Sequence, residues 1–495
     1  RSGPSLSRKL LSALRAGGFG GPVFALCRVA VTDGRRQEGM ESINKTVTLA
    51  AALVVLLAGT VAADEERADP AAKDARAESR YDASLEGAIE DYLSSEAAAP
   101  AQKPNTLEVF WKEGLRFETA DGSFKLRIGG RLMIDMWAID ADDELKAIAG
   151  DPDIGQDRIF IRRARLGAQG TIYGKTEYKL EVDFARVNLV ALQDAYIGLK
   201  KVLAGDWLRV GHLKAPSGLE TLTSSRYITF MERATAVQAF ALDRFLGVSW
   251  KGSYGEIEAQ KRFTVSLSFG RPTIPGFAEF LGEDGATFVG RVTMLALYQE
   301  NEQGPTLLHL GVNLQLRFPD AGTVQFRARP NVGRGTRVLD TGPIPADQAT
   351  VVGFEIAFNH GSWSAQGEFF LAMVDALDGS SPAFSGWYVQ VSYWLTGEHR
   401  PYNSSNAVFD RVKPQHNYGQ EDGKGAWEVA VRVDSSDLDD GAVMGNKGLT
   451  YYFGVNWHLN PNMRIMFNLV FADIEAQGFG DGSATGAGFR IQVDF

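Results

Sequence analysis

From Phe110 to Phe495 the chain is a succession of segments, each about ten residues long, in which apolar and polar side chains alternate. In 124–136 the apolar positions are Phe124, Leu126, Ile128, Leu132, Ile134 and Met136, and between them stand Lys125, Arg127, Gly129, Arg131 and Asp135. In 177–184, Tyr178, Leu180, Val182 and Phe184 alternate with Glu177, Lys179, Glu181 and Asp183. The pattern returns in 363–373, 451–459 and 463–471. It ends the sequence, where Phe489, Ile491, Val493 and Phe495 are interleaved with Arg490, Gln492 and Asp494. Period two describes strands with one apolar and one polar face.

A soluble β-sandwich has the same period, so other features decide. A face as charged as Glu177, Lys179, Glu181 and Asp183 suits a wet lumen or a solvated outer sheet face. Tight connections (Tyr173-Gly174-Lys175, Tyr254-Gly255, Gly361-Ser362, Asn460-Pro461-Asn462) alternate with long polar ones, as in outer-membrane barrels with short periplasmic turns and long outer loops. Trp137, Tyr173, Tyr196, Trp207, Trp457 and Phe495 sit near the ends of apolar runs, where interfacial girdles need aromatics. The last strand ends on an aromatic residue, a terminus of the kind that barrel-assembly machinery reads.

Strands are predicted at 124–136, 158–172, 176–186, 189–200, 206–214, 244–253, 257–270, 286–298, 306–318, 349–359, 363–374, 384–396, 425–435, 448–459, 462–473 and 487–495. A further candidate, 323–329, breaks parity. A barrel with both termini in the periplasm needs an even number of strands, and the turns at Gly361 and Pro461 must lie on the same side as the end of the last strand. That segment is short, carries alternating charge and precedes Pro330, so it is assigned to a long external loop. The expected fold is therefore all-β, a 16-stranded antiparallel transmembrane barrel over 105–495.

Upstream, Met40 opens a short apolar run, Val47 to Gly59, followed by Val61-Ala62-Ala63 and then Asp64-Glu65-Glu66. This is a signal-peptide pattern over 40–63, with cleavage after Ala63. Residues 1–39 then read as an upstream segment of a misassigned start, or as a basic targeting peptide. Residues 64–104 are rich in Ala, Glu and Asp, with Tyr81, Leu85, Ile89 and Leu93 at four-residue spacing. They form either a disordered periplasmic arm or a short helix that self-associates. The only cysteine, Cys27, precedes Met40, so a disulfide scaffold or Cys-based zinc site is not expected. A net charge of −10 argues against nucleic-acid partners without excluding a locally basic pore.

Several motifs, in order and spacing, are shared with one family. They are Leu126-Arg127-Ile128-Gly129-Gly130-Arg131, Phe160-Ile161-Arg162-Arg163-Ala164-Arg165-Leu166-Gly167, Asp194-Ala195-Tyr196 and Leu208-Arg209-Val210-Gly211-His212-Leu213-Lys214-Ala215-Pro216. The most distinctive is Gly218-Leu219-Glu220-Thr221-Leu222-Thr223-Ser224-Ser225-Arg226-Tyr227-Ile228-Thr229-Phe230-Met231-Glu232-Arg233. Trp394-Leu395-Thr396-Gly397-Glu398-His399-Arg400 and Asn456-Trp457 add to it. The chain resembles the phosphate-selective porins O and P. That resemblance implies a homotrimer in the outer membrane, an arginine-lined pore for small anions such as phosphate or polyphosphate, and an inward constriction loop at about 216–243.

An anion leaving water needs replacement donors, and guanidinium forks and ammonium groups supply them. By the alternation, Arg127, Arg131, Arg163 and Arg165 face the lumen. Lys214, Arg226, Arg233 and Arg244 flank or lie on the expected constriction loop. These eight are the candidate anion pathway. The competing reading pairs them along the wall with Glu177, Glu181, Asp183 and Glu232. Arg162 falls on the lipid-facing side of this register, which puts it at a subunit interface or at the rim, unless the register slips there. The six histidines lack metal-ligand spacing, and no Gly-x-Ser-x-Gly elbow occurs, so neither an enzyme nor a cofactor is expected. The function expected is passive diffusion of small anions. The alternatives are a non-selective pore or a plugged structural or adhesive barrel.

Overall fold

The computed structural model describes residues 106–186, 189–273, 285–302, 304–319, 322–333, 335–420 and 422–495. The signal-peptide, upstream and arm segments expected within 1–104 lie outside the described residues.

Sixteen strands form the wall. They are β1 (Phe124–Ala141), β2 (Arg158–Ile172), β3 (Thr176–Arg186), β4 (Leu189–Lys200), β5 (Trp207–Lys214), β6 (Arg244–Ile257), β7 (Gln260–Pro272) and β8 (Ala286–Gln299). The second half comprises β9 (Thr306–Phe318), β10 (Ile344–His360), β11 (Trp363–Ala376), β12 (Ala383–Trp394), β13 (Ala426–Asp440), β14 (Val443–Asn460), β15 (Met463–Ala476) and β16 (Gly480–Asp494). Each pairs antiparallel with its sequence neighbours. The circle closes where β16 pairs β1, from Ala484 opposite Ala141 to Asp494 opposite Arg131. The terminal residue extends this seam: Gly130 N donates to Phe495 O at 2.8 Å and Phe495 N to Gly130 O at 3.0 Å. No other arrangement of strands satisfies every backbone donor in hydrocarbon. A hairpin of Leu107–Trp111 and Leu115–Thr119 continues the sheet beside the start of β1, with Leu115 opposite Ile128.

Alternation assigns the two faces. In β10, Phe354 and Ile356 are 53% and 51% exposed on the outside, whereas Glu355 between them is 4% exposed and points inward. The sequence-derived strands match the wall within a few residues at most ends. The largest extensions are at the ends of β1 and β13 and at the starts of β10, β14 and β16, all at the rim opposite the tight turns. Residues 323–329 are not a wall strand. Thr323–Val324 and Arg327–Ala328 make only local two-residue pairings, with Ile344/Pro345 and Leu339–Asp340 respectively.

Two expectations need correction. Arg162 does not face lipid. Met133 pairs with Arg163 while Ile134 pairs with Ile161, so Arg162 is the extra residue of a β-bulge. The bulge turns it into the lumen, where Nε and Nη2 donate to Glu232 at 2.6 and 2.7 Å. The second correction concerns the connections. The tight-turn end also carries the long segment 395–425, and the opposite end has tight links at 441–442 and 477–479. Tyr254 and Gly255 lie within β6, and the turn itself falls at Glu258 and Ala259, both with positive φ.

The lumen is not uniformly wet. Inward side chains of β10–β15, including Val351, Phe370, Val374, Phe384, Tyr388, Tyr452 and Val470, form an apolar cluster with Phe230, Met231, Val237, Phe240, Phe326 and Val332 from inward-folded connections. The run Phe369-Phe370-Leu371-Ala372-Met373-Val374 explains it, since a strand apolar on both faces is covered on both faces.

The closure seam carries a buried ion pair. Arg490 of β16 donates from Nε and Nη2 to Asp135 of β1 at 2.6 and 2.7 Å, and from Nη2 to Glu232 at 2.9 Å, with both Arg490 and Asp135 at most 1% exposed. Removing one partner strands a buried charge, at about 3–5 kcal/mol. Arg490→Leu is therefore expected to lower barrel stability by that order, read as a lower urea midpoint in the loss of the heat-modifiable band on electrophoresis. An unchanged midpoint would mean that this pair does not hold the seam closed.

Candidate functional site

The site is the lumen, and the segment 215–243 shapes it. It leaves β5, makes the short helices α1 (Leu219–Leu222) and α2 (Thr235–Phe240), and returns into β6. Polar side chains of the wall hold it from several sides. Glu368 of β11 accepts from Leu219 N and Glu220 N, both at 2.8 Å. Asp434 of β13 accepts from Thr235 N at 3.1 Å and from Thr235 Oγ1 at 2.7 Å, so it caps α2. Asn468 accepts from Met231 N at 2.8 Å, Asn456 donates to Thr229 O at 2.8 Å, and Arg464 donates to Ile228 O at 2.9 Å. Arg432 bridges Glu220 Oε1 at 2.6 Å and Glu232 O at 3.0 Å. A loop with unpaired backbone polar groups could not lie inside a barrel, and these wall side chains replace the missing partners.

Gly218 precedes α1 with φ of 146°, and a Cβ there would overlap the Glu368 carboxylate. The residue type is dictated both by the backbone and by the carboxylate that caps α1.

Two further connections turn inward. Asn331 donates to Arg233 O at 2.8 Å and to Tyr452 Oη at 2.9 Å, which lays 322–333 against 215–243. From the tight-turn end, 395–425 enters the barrel. Asn359 donates to Arg400 O at 2.7 Å, Arg291 donates to Ala407 O at 2.9 Å, and His309 Nδ1 lies 2.7 Å from Tyr402 Oη. Neither inward course is expected from the alternation pattern. The signal that could have found them is a set of buried-type residues (Phe326, Val332, Val338; Phe409, Val412) inside stretches that otherwise read as polar connections.

The eight candidate cations fall into two groups. Arg131 donates to Glu181 Oε1 and Oε2 at 3.1 and 2.9 Å and to Ser225 Oγ at 2.9 Å. Arg165 spans Glu181 at 3.0 Å and Asp183 at 2.8 Å. Arg244 spans Asp194 at 3.0 Å and Asp243 at 3.1 Å. Arg226 lies 3.6 Å from Asp494. The other four have no carboxylate within 4.0 Å among the described residues. Arg127 Nε and Arg163 Nε lack a hydrogen-bond partner, and Arg163 Nη1 touches only Met133 Sδ at 3.4 Å. Arg233 donates to the carbonyls of Glu220, Thr221 and Thr223 at 2.9, 3.2 and 3.0 Å, and Lys214 Nζ also donates to Thr221 O. Lys214 and Arg233 thus converge on one carbonyl, and neither makes an ion pair within 4.0 Å among the described residues.

Glu232 lies among three guanidiniums, pairing with Arg162 and Arg490 and feeling the charge of Arg163. Burial opposes its ionisation, but Arg162, Arg163 and Arg490 outweigh burial and hold its carboxyl well below the ordinary range. The Arg162 and Glu232 side chains stay 24% and 18% exposed, and Lys179 and Arg209 on the neighbouring wall 20% and 23%. These inward groups therefore border open space inside the barrel. Among the described residues no cluster of His, Cys, Asp and Glu could hold a metal ion.

A closed sixteen-stranded barrel with an apolar exterior and a charged, partly open interior defines an outer-membrane porin. The model of the family described as phosphate-selective porin O and P matches residues 127–495, and the chain belongs to that family. An uncharacterised protein of Caulobacter vibrioides is 31% identical over 415 residues, covering 80% of this chain and 79% of the relative. Porin O of Pseudomonas aeruginosa is 25% identical over 418 residues, covering 78% and 91% respectively. Among solved structures, an anion-selective porin from Comamonas acidovorans aligns with a TM-score of 0.47 at 14% identity, covering 75% of this chain and all of that one (100%).

Gly218→Ala is expected to cost on the order of 1–3 kcal/mol through backbone strain and displacement of the Glu368 cap. Differential proteolysis of 215–243 in the folded barrel measures it. Cleavage as slow as in the parent would show that the segment does not depend on this contact.

Proposed function

We propose that this porin carries small anions by passive diffusion, along a route past Arg163, Lys214 and Arg233. The observation that carries the reading is the inequality among lumen cations. Arg131, Arg165 and Arg244 are neutralised by carboxylates at hydrogen-bond distance, whereas Arg127, Arg163, Lys214 and Arg233 meet only carbonyls, a thioether or no partner at all. Uncompensated cations in a confined space of low dielectric constant raise the local concentration of anions and exclude cations. Because carbonyls, not carboxylates, hold Arg233 and Lys214, an arriving anion adds to their contacts without displacing a bound acid. A series of shallow sites of this kind lets an ion enter and leave.

Phosphate is the anion proposed, since the family is described as phosphate-selective and a guanidinium fork matches phosphate oxygens. A homotrimer is proposed on the family resemblance. The segment 215–243 would be the constriction, because it is the connection anchored across the lumen. Cleavage of a signal peptide after Ala63 remains part of the proposal, with 64–104 as a periplasmic arm.

Planar-bilayer recordings in a salt gradient test the reading. The parent protein is expected to give a reversal potential of anion sign. Arg163→Gln with Arg233→Gln is expected to move it toward zero, while Glu181→Gln, which releases Arg131 and Arg165, is expected to move it further toward anions. Cation preference in the parent would overturn the proposal. Insensitivity to all three substitutions would place the route elsewhere in the lumen.

A further inference from the structure

Segment 395–425 crosses the tight-turn end of the barrel. One part of it is held to the wall at β7–β10. Ser404 Oγ donates to Gln260 Oε1 at 2.8 Å and accepts from Lys261 N at 3.0 Å, Arg291 of β8 donates to Ala407 O at 2.9 Å, and Asn359 of β10 donates to Arg400 O at 2.7 Å. Shortly after Ala407, Arg411 reaches the other side. It takes Asp494 of β16 bidentately at 2.7 and 3.0 Å and donates to Pro461 O in the turn between β14 and β15. In a ring of sixteen strands β8 and β16 stand opposite each other. Between the two ends, Tyr402–Asn403 pairs with Val408–Phe409. The segment is therefore a strut tied at both ends by buried side chains, since Arg291, Asn359, Arg411 and Asp494 are all at most 7% exposed.

The strut meets 215–243 at two places. Phe409 shares one buried apolar cluster with Leu219 of α1 and Ala357 of β10. The Arg400 guanidinium covers the Phe409 ring at 3.6 Å and donates to Gln366 Oε1 at 2.8 Å. From there hydrogen bonds run in one direction. Gln366 Nε2 donates to Tyr388 Oη, and Tyr388 Oη donates at 2.7 Å to Glu368, the carboxylate that accepts from Leu219 N and Glu220 N. Arg400 thus turns the Gln366 amide so that its nitrogen faces Tyr388, whose single proton is then given to Glu368. The second place is Asp494. The carboxylate taken by Arg411 also lies 3.6 Å from Arg226 of 215–243, and the Tyr227 ring lies 5.0 Å from the Arg226 guanidinium and 5.3 Å from that of Arg411. Gln492 Nε2, on the same inward face of β16, donates to Arg226 O at 3.1 Å. Only about 20 Å³ stays open between the two segments and the wall here, room for a single water.

We propose that 395–425 is a brace that positions 215–243, with Phe409 and Arg411 as the positioning residues, and that it thereby fixes the aperture of the pore. The aperture part rests on the reading that 215–243 is the constriction. A segment inside a lumen is only as fixed as its contacts. Two points of contact, at 219–220 and at 226–227, define a direction as well as a place, which one contact would not. Phe409 and Arg411 are 1% and 7% exposed, so they act through 215–243 and touch no permeant ion themselves.

The test uses the full chain, in detergent and in planar bilayers. Trypsin cuts after Arg226 and Arg233, and cleavage at these two sites in the folded, heat-modifiable barrel reads how often 215–243 leaves its seat. Arg411→Gln, which removes a charge-assisted pair of hydrogen bonds, is expected to speed that cleavage about tenfold or more. Phe409→Leu, which keeps an apolar side chain and loses the ring, is the second variant should Arg411→Gln fail to give a folded barrel. It is expected to speed cleavage about threefold or more. Lys413→Gln, at a lysine of the same segment that is 66% exposed, is expected to leave the rate unchanged. In bilayers Arg411→Gln and Phe409→Leu are expected to raise open-channel current noise above that of the parent, which a loss of stability alone would not do in channels already inserted. Parent-like cleavage at Arg226 and Arg233 in both variants, or equal acceleration in Lys413→Gln, would overturn the proposal. Faster cleavage with unchanged noise would keep the brace and take the constriction away from 215–243, so the two readings fail separately.

Discussion

Everything in this molecule follows from the requirement that no backbone donor or acceptor face hydrocarbon unpaired. A sheet meets it only by closing on itself. Closure here is made by the last strand, and the ladder runs on to the final residue, where Phe495 and Gly130 exchange two hydrogen bonds. Because the first and last wall strands close the circle as an antiparallel pair, the number of strands in it must be even. The exterior is then set by lipid, and the sequence is left with one inward position in two to spend on the lumen.

How those inward positions are used divides the barrel. On β10–β15 many are apolar, and they pack with Phe230, Phe240 and Phe326 into a core inside the barrel. On β1–β5 many are charged, among them Arg131, Arg163, Arg165, Glu177, Glu181, Asp183 and Asp194. The apolar half, together with Glu368, Asp434, Asn456 and Asn468, holds 215–243 to one side. Gly386 belongs to the same device, since a Cβ there would meet Phe240 Cε2 at 2.7 Å. The charged half is thereby left facing the space that remains. Within it, acid placement, not arginine count, decides which cations keep an unscreened field. Glu181 alone occupies two candidate arginines.

The wall is legible in the residues themselves because period-two alternation is a local property that lipid enforces on every strand. Sixteen strands, their order and the exclusion of 323–329 follow from alternation and parity. Arg162 shows the limit. A single inserted residue flips every assignment locally, and nothing in Arg162-Arg163-Ala164-Arg165 marks which residue is the extra one. The inward course of 395–425 is equally hidden, because loop length tells which end a connection occupies only on average. Its burial depends on partners such as Asn359 and Arg291, which lie far away in sequence.

Amino-acid order alone was thus enough for the class of fold, the succession of strands, the membrane-facing surface and the set of basic residues available to the lumen. All of these rest on short-range periodicity and on composition. Which of those basic residues remain without an acid is a property of the folded barrel. Charge compensation depends on distances of about 3–4 Å between side chains from different strands and inward segments. Folding separated Arg163, Lys214 and Arg233 from Arg131, Arg165 and Arg244. It also brought Arg226 and Arg411 to the one carboxylate of Asp494, although the three come from two inward segments and the last wall strand. Alternation along a strand carries no information about contacts of that kind.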